Sequence, residues 1–246
     1  MSSHKSHRFT RAALGGIIGA ALLALPASAM AGIVVASSGP SAKTYPPGTK
    51  LPDDAKITLK ASDRVTILDK RGTRVLSGAG THTVGSSSGP SRTSTFVALT
   101  TQRSASRVRT GAVRGSGPDG KPLRPNLWYV DVTSPGSVCV VDPAEVRAWR
   151  PGNEGNATYT VKPAAGGATA TLSFEDGSMV APWGDAPVAD GSSYLVSSGG
   201  ASAVTVTFKV LPQQDYAPED LTELLLSKGC ENQVNLLAQS LVLPEG

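Results

Sequence analysis

The turns constrain this chain most. Between residues 135 and 200, six dipeptides interrupt the sequence: Pro135-Gly136, Pro151-Gly152, Gly166-Gly167, Asp176-Gly177, Asp190-Gly191 and Gly199-Gly200. Such pairs favour tight turns and leave little room for a long helix between them. The segments they separate are short and carry β-branched, apolar and aromatic residues: 127–132, 137–141, 145–149, 157–161, 168–174, 194–197 and 203–210. About seven short strands with turns at this spacing predict a β-sandwich.

The period changes near the C-terminus. Ala217-Pro218-Glu219-Asp220 reads as a helix start, with proline and acids in the first turn. Leu221, Leu224 and Leu225 share a face, and Gly229 ends the helix. Val234, Leu237 and Leu241 repeat the helical spacing over 230–241. Residues 126–246 therefore read as a sandwich with a terminal helical hairpin.

The N-terminal part is also β in pattern. Residues 33–35, 57–59, 65–68 and 73–76 are short apolar or alternating runs, separated by Pro46-Pro47-Gly48, Asp63, Lys70-Arg71-Gly72 and Gly78-Ala79-Gly80. They predict a small roll or sandwich over 32–84. The order Gly48-Thr49-Lys50-Leu51, Ile57-Thr58-Leu59 and Val65-Thr66-Ile67-Leu68-Asp69, followed by Gly72-Thr73, resembles the FecR family of periplasmic sensor modules. The resemblance implies a β fold and an envelope setting. FecR-like signal relays carry a cytoplasmic domain ahead of a membrane segment. Here only eleven residues precede the apolar run, so sigma-factor signalling is not implied. The fold class expected is mainly β.

The first 31 residues read as a secretory signal peptide. Lys5, Arg8 and Arg11 precede an apolar run over 12–25, Pro26 breaks it, and Ala27-Ser28-Ala29 and Ala29-Met30-Ala31 offer small residues for cleavage. The mature chain then begins near Met30 or Gly32. The rival reading is a retained anchor, since the uncharged run extends to Ala36. Pro26 and the Gly- and Ala-rich first half weigh against it. No twin arginine and no cysteine at the cleavage sites point to the general secretory route without a lipid anchor. The expected location is periplasmic or secreted, with no transmembrane helix after processing.

Export changes the meaning of the charge. The whole chain carries +4, but without Lys5, Arg8 and Arg11 the balance is 20 basic to 19 acidic residues. That near-neutral total hides a division. Residues 32–125 hold 15 basic and 5 acidic residues, and residues 126–246 hold 5 basic and 14 acidic. Export also bears on Cys139 and Cys230, the only cysteines. In an oxidising compartment they most simply pair. The closed loop of about 92 residues would contribute roughly 4–5 kcal/mol on the chain-entropy model. Two separate buried thiols are the alternative.

The basic excess concentrates in 85–125, a Gly/Ser/Arg-rich connector with a partly helical stretch expected over 93–107. Arg103, Arg107, Arg109 and Arg114 are the candidate contacts to an anionic partner. No aromatics are interleaved with them, which with export argues against nucleic acid. An anionic lipid, lipopolysaccharide, a wall polymer or an envelope protein fits better. The alternative is docking against the acidic half of the same chain.

Catalytic and metal patterns are weak. His82 is the one histidine outside the leader, and its glycine-rich turn suits an exposed imidazole. Asp53-Asp54 and Glu175-Asp176 are adjacent pairs, while Glu219, Asp220 and Glu223 suit a helix N-terminus. No catalytic residue, metal ligand or cofactor is assigned. The aromatics of the second unit read as core before they read as a sugar-stacking surface; Trp183, in Ala181-Pro182-Trp183-Gly184-Asp185, has the most loop-like context and is the best surface candidate among them. The reading is an exported, non-catalytic envelope protein that binds or scaffolds an anionic partner. Its rivals are a polysaccharide hydrolase using a carboxylate pair and a subunit of a periplasmic complex.

Overall fold

The computed structural model describes residues 1, 30–85, 90–101, 123–200 and 202–243, and in it Ile33, Val34 and Val35 are all buried. Successive strand residues point to opposite faces, so three buried neighbours require a sheet covered on both sides. Strand β1 (Met30–Ser38) lies inside an antiparallel sheet of order β2-β1-β4-β5, with β2 (Lys50–Pro52), β4 (Arg64–Asp69) and β5 (Gly72–Ser77). One face carries Val34, Val65 and Ile67 into a small aliphatic core. That core is closed by a two-stranded ladder of β3 (Lys56–Leu59) and β6 (Gly80–Thr83). The other face carries Ile33, Val35 and Leu68 into a separate core.

Two carboxylates pin the turns of this roll. Asp63 is buried and accepts from the Ser41 N–H at 2.9 Å and the Lys60 N–H at 2.6 Å. Burial raises its pKa, but the bonds from Ser41 and Lys60 and the charge of Lys60 outweigh that and hold the carboxyl below its ordinary value. Asp69 closes the β4–β5 hairpin through the N–H groups of Arg71 and Gly72 and pairs with Arg74 at 2.8 Å.

After a short helix α1 (Thr93–Thr100), the chain builds the second unit. Its larger sheet has order β11-β10-β13-β14-β8, from β8 (Gly136–Val140), β10 (Ala157–Pro163), β11 (Ala170–Phe174), β13 (Ser193–Ser198) and β14 (Val204–Val210). Strand β8 runs parallel to β14, and the remaining pairs are antiparallel. The smaller sheet has order β12-β9-β7, from β7 (Val130–Asp131), β9 (Arg147–Trp149) and β12 (Val180–Pro182). The apolar residues between the sheets include Val138, Val161, Leu172, Val206 and Phe208 on one side and Val130, Ala148 and Ala181 on the other.

Trp183 belongs to this core, which rules it out as the exposed aromatic and bears out the core reading of the aromatics. It is 2 % exposed and makes edge-on contacts with Phe208 at 5.1 Å and Tyr194 at 6.0 Å. The cause is β12, which Val180 and Pro182 give too little apolar pattern to predict. Pairing of β12 with β9 turns the loop-like stretch inward, and the Trp183 N–H donates to the Val146 carbonyl. An aromatic cluster at such distances adds edge-to-face attraction to its burial.

The C-terminal helices form as their periodicity predicts, as α2 (Pro218–Ser227) and α3 (Glu231–Ser240). Gly229 takes a left-handed φ of 72° between them, and the N–H groups of Lys228, Gly229 and Cys230 satisfy carbonyls of the last turn of α2. The apolar faces of both helices enter the core that holds Ile33, Val35 and Leu68, together with Phe96, Leu99, Leu127, Trp128 and the two cysteines. The hairpin thus covers the outer face of the N-terminal sheet while it is bonded to the sandwich. The chain end continues this closure. Thr73 donates to the Leu241 carbonyl at 2.8 Å and accepts from the Leu243 N–H at 2.9 Å. Gly72 is required there, because a Cβ would lie 2.5 Å from the Leu241 oxygen.

Candidate functional site

Arg103, Arg107, Arg109 and Arg114 lie outside the described residues, as do residues 2–29 of the leader and Lys121. The residues that flank the basic stretch are described, and they are tied together. At the end of α1 the Leu99 carbonyl accepts from the Leu127 N–H at 2.9 Å and the Thr100 carbonyl from Trp128 Nε1 at 2.7 Å. The Thr101 carbonyl accepts from Asn126 Nδ2 at 2.8 Å. A helix leaves its last carbonyls without partners, and residues 126–128 supply them. Residues 99–101 and 126–128, on either side of the basic stretch, therefore lie side by side. Phe96 and Leu99 are buried in the shared core and make the base rigid.

Arg124, at the returning end, is turned inward. It is 7 % exposed, and burial lowers its guanidinium pKa to about 10, against the opposing pull of Asp131. An ion pair crosses between the halves of the chain: Lys50 Nζ lies 2.6 Å from Glu223 Oε2, both half-exposed. Part of the charge division is thus internal complementarity between the basic and acidic halves.

Lys50 and Glu223 line a cleft of about 240 Å³ between β1, β2 and the start of α2, with Gly32, Ile33, Ala217, Glu219 and Asp220. Burial pushes the Glu219 carboxyl above its ordinary value, against hydrogen bonds from the N–H groups of Glu219 and Lys70; the charges of Asp69 and Asp220 add to the rise. The three lining carboxylates project from one helix, and Glu223 is engaged by Lys50. A glycosidase instead sets its two carboxyl groups on opposite sides of the scissile bond.

His82 sits in strand β6 and not in a turn. It is half-buried, with Nε2 3.3 Å from the Gly78 carbonyl oxygen. Asp176 Oδ1 accepts from the Gly155 N–H at 2.7 Å and so fastens a loop. Among the described residues, no three His, Cys, Asp or Glu side chains converge as a metal site would require. The sequence reading missed Arg150, which is buried and donates to the carbonyls of Ser178, Glu154, Gly155 and Glu175. It also lies 5.3 Å from the Phe174 ring centre. Its role is structural, and only the two neighbouring turns that converge on it reveal that role.

Cys139 and Cys230 form a disulfide, with Cα atoms 5.9 Å apart and a sequence separation of 91. Together with the β-rich fold, it suits an extracellular or periplasmic protein. No helix among the described residues is long and apolar enough to cross a membrane. Comparison with protein-family models, curated proteins and solved structures finds no match to this chain.

Proposed function

We propose that this is an exported cell-envelope protein, processed near Met30 or Gly32, that binds or scaffolds an anionic envelope partner without catalysing a reaction. The contacts are Arg103, Arg107, Arg109 and Arg114. The observation that carries the reading is the closed base at 99–101 and 126–128, from which a stretch dense in arginine departs and to which it returns. A basic excursion on a rigid, disulfide-fastened body suits a polyanionic surface, because charge supplies the attraction and the scaffold limits the entropy lost. The FecR-like pattern of 33–84 and the basic, apolar, small-residue order of the leader support the envelope setting.

The test is co-sedimentation of the mature protein with vesicles of anionic or zwitterionic lipid and with isolated wall material, across a salt series. Binding to an anionic phase should fall steeply between about 0.05 and 0.5 M salt, as exposed charges are screened. Replacing the four arginines by glutamine should abolish it while leaving the near-ultraviolet circular dichroism unchanged. Salt-independent binding, or equal binding by the substituted protein, overturns the reading.

A further inference from the structure

Among the described residues strand β8 is an edge strand, paired only with β14, and the outward N–H and C=O of Cys139 meet no neighbouring strand there. A side chain takes that place. Gln233 Oε1 accepts from the Cys139 N–H at 2.7 Å, and Gln233 Nε2 donates to the Cys139 carbonyl at 2.8 Å. The second Nε2 hydrogen goes to the Leu127 carbonyl at 3.0 Å. Gln233 is 1 % exposed, and its amide is engaged at both ends. One residue earlier, Asn232 Nδ2 donates to the Pro135 carbonyl at 3.0 Å, just before β8 begins. Cys230 is the N-cap of the same helix, and both sulfurs lie in residues with no exposed surface.

Cys139 is therefore held to the first turn of α3 twice, once by its sulfur and once by its backbone. We propose that these form a double latch. Its non-covalent half, Gln233 with Asn232, docks α3 on β8 without the disulfide and gates the access of thiol reagents to it. The physical reason is that the Gln233 contacts use only peptide groups of β8, whose chemistry reduction of the disulfide leaves untouched. While they hold, two buried sulfurs face each other and exclude an attacking thiolate. Exchange requires a sulfur to be reached directly, so it requires α3 to lift. On oxidation, the Cys139 and Cys230 thiols lose two protons and two electrons to a disulfide such as oxidised glutathione, which becomes two thiols. The hairpin, and with it the cover of the N-terminal sheet, stays docked in both redox states.

The test begins on the unsubstituted protein. After reduction in denaturant and refolding in reductant, its near-ultraviolet circular dichroism should match that of the oxidised form. Its two thiols should react with iodoacetamide at least about tenfold more slowly than in urea. A reduced protein that is unfolded, or whose thiols react at the unfolded rate, overturns the proposal without any variant. The second arm compares the rate at which dithiothreitol reduces the native disulfide in the parent, Gln233→Met and Asn232→Ala. Losing hydrogen bonds that a buried strand edge needs should speed reduction about tenfold in Gln233→Met, and less in Asn232→Ala. Oxidised Gln233→Met should keep the parent spectrum, because the covalent half remains. Equal reduction rates in all three proteins overturn the gating role.

Discussion

The N-terminal roll and the C-terminal sandwich are both β, but they are stabilised differently. The roll's own core is aliphatic and small, built on Val34, Leu51, Ile57, Leu59, Val65, Ile67 and Val84. The sandwich encloses a larger core with Trp183, Tyr194, Phe174 and Phe208. A short segment buries too little apolar surface to offset its conformational entropy, so small units need additional support. The roll obtains it from the far end of the chain. Leu221, Leu225, Leu237 and Leu241 cover Ile33, Val35 and Leu68, and the same helices are fastened to β8 by the disulfide. The sandwich is closed by its own two sheets, whereas the roll is half of a structure completed by the hairpin.

Core truncations separate the two most sharply. Phe208→Ala should cost about 3–5 kcal/mol and raise amide exchange chiefly in the sandwich strands. Leu237→Ala should cost about 2–5 kcal/mol but raise exchange in β1 and β4 as well as at the start of β8. If Leu237→Ala leaves β1 protected, the roll stands alone and the comparison fails. Trp183 sharpens the sandwich side: with Trp128 and Trp149 replaced by Phe, its fluorescence should resist quenching by iodide in the folded protein, and ready quenching would return it to the surface.

The pH response comes next in size and should centre on the roll. The Asp63 carboxyl titrates below its unfolded value, so its contribution is present above about pH 4 and is lost as pH falls through the folded pKa. Asp63→Asn should lower the urea midpoint at pH 7 and flatten its decline on acidification; an unchanged acid limb would show that other carboxylates govern it. Glu219 acts in the opposite sense. Its folded pKa is raised, so stability falls as pH climbs from the unfolded to the folded value, and Glu219→Gln should gain stability only above that window. The smallest effect belongs to Lys50→Ala, which removes a half-exposed ion pair between roll and hairpin. It should cost under about 1 kcal/mol at low salt and vanish in high salt.

Much of the secondary structure is legible in the residues. The alternation in Val65-Thr66-Ile67-Leu68, the glycine-bearing turns and the helical spacing of Val234, Leu237 and Leu241 each predict the element found. Strands β2, β6 and β12 are not legible. Lys50-Leu51-Pro52 and Val180-Ala181-Pro182 are three residues long with a proline, and Gly80-Thr81-His82-Thr83 has no apolar residue. They are strands because a neighbouring strand supplies hydrogen bonds, which no local pattern records. The candidate site divides in the same way. Its charge is visible in the sequence, but the base that joins residues 99–101 to 126–128 is made by backbone carbonyls and is visible only in three dimensions.

The sequence by itself determined the helices and the strand segments other than β2, β6 and β12, the pairing partners available to two cysteines and the division of charge along the chain. These follow from local periodicity, turn chemistry and composition. Tertiary structure alone decided which surface each apolar face would meet. It buried Trp183, placed Gln233 against the edge of β8 and laid the C-terminal hairpin over the N-terminal sheet. The physical reason is that hydrophobic burial has no direction. A leucine stripe states that a face must leave water, and only the assembled molecule specifies what covers it.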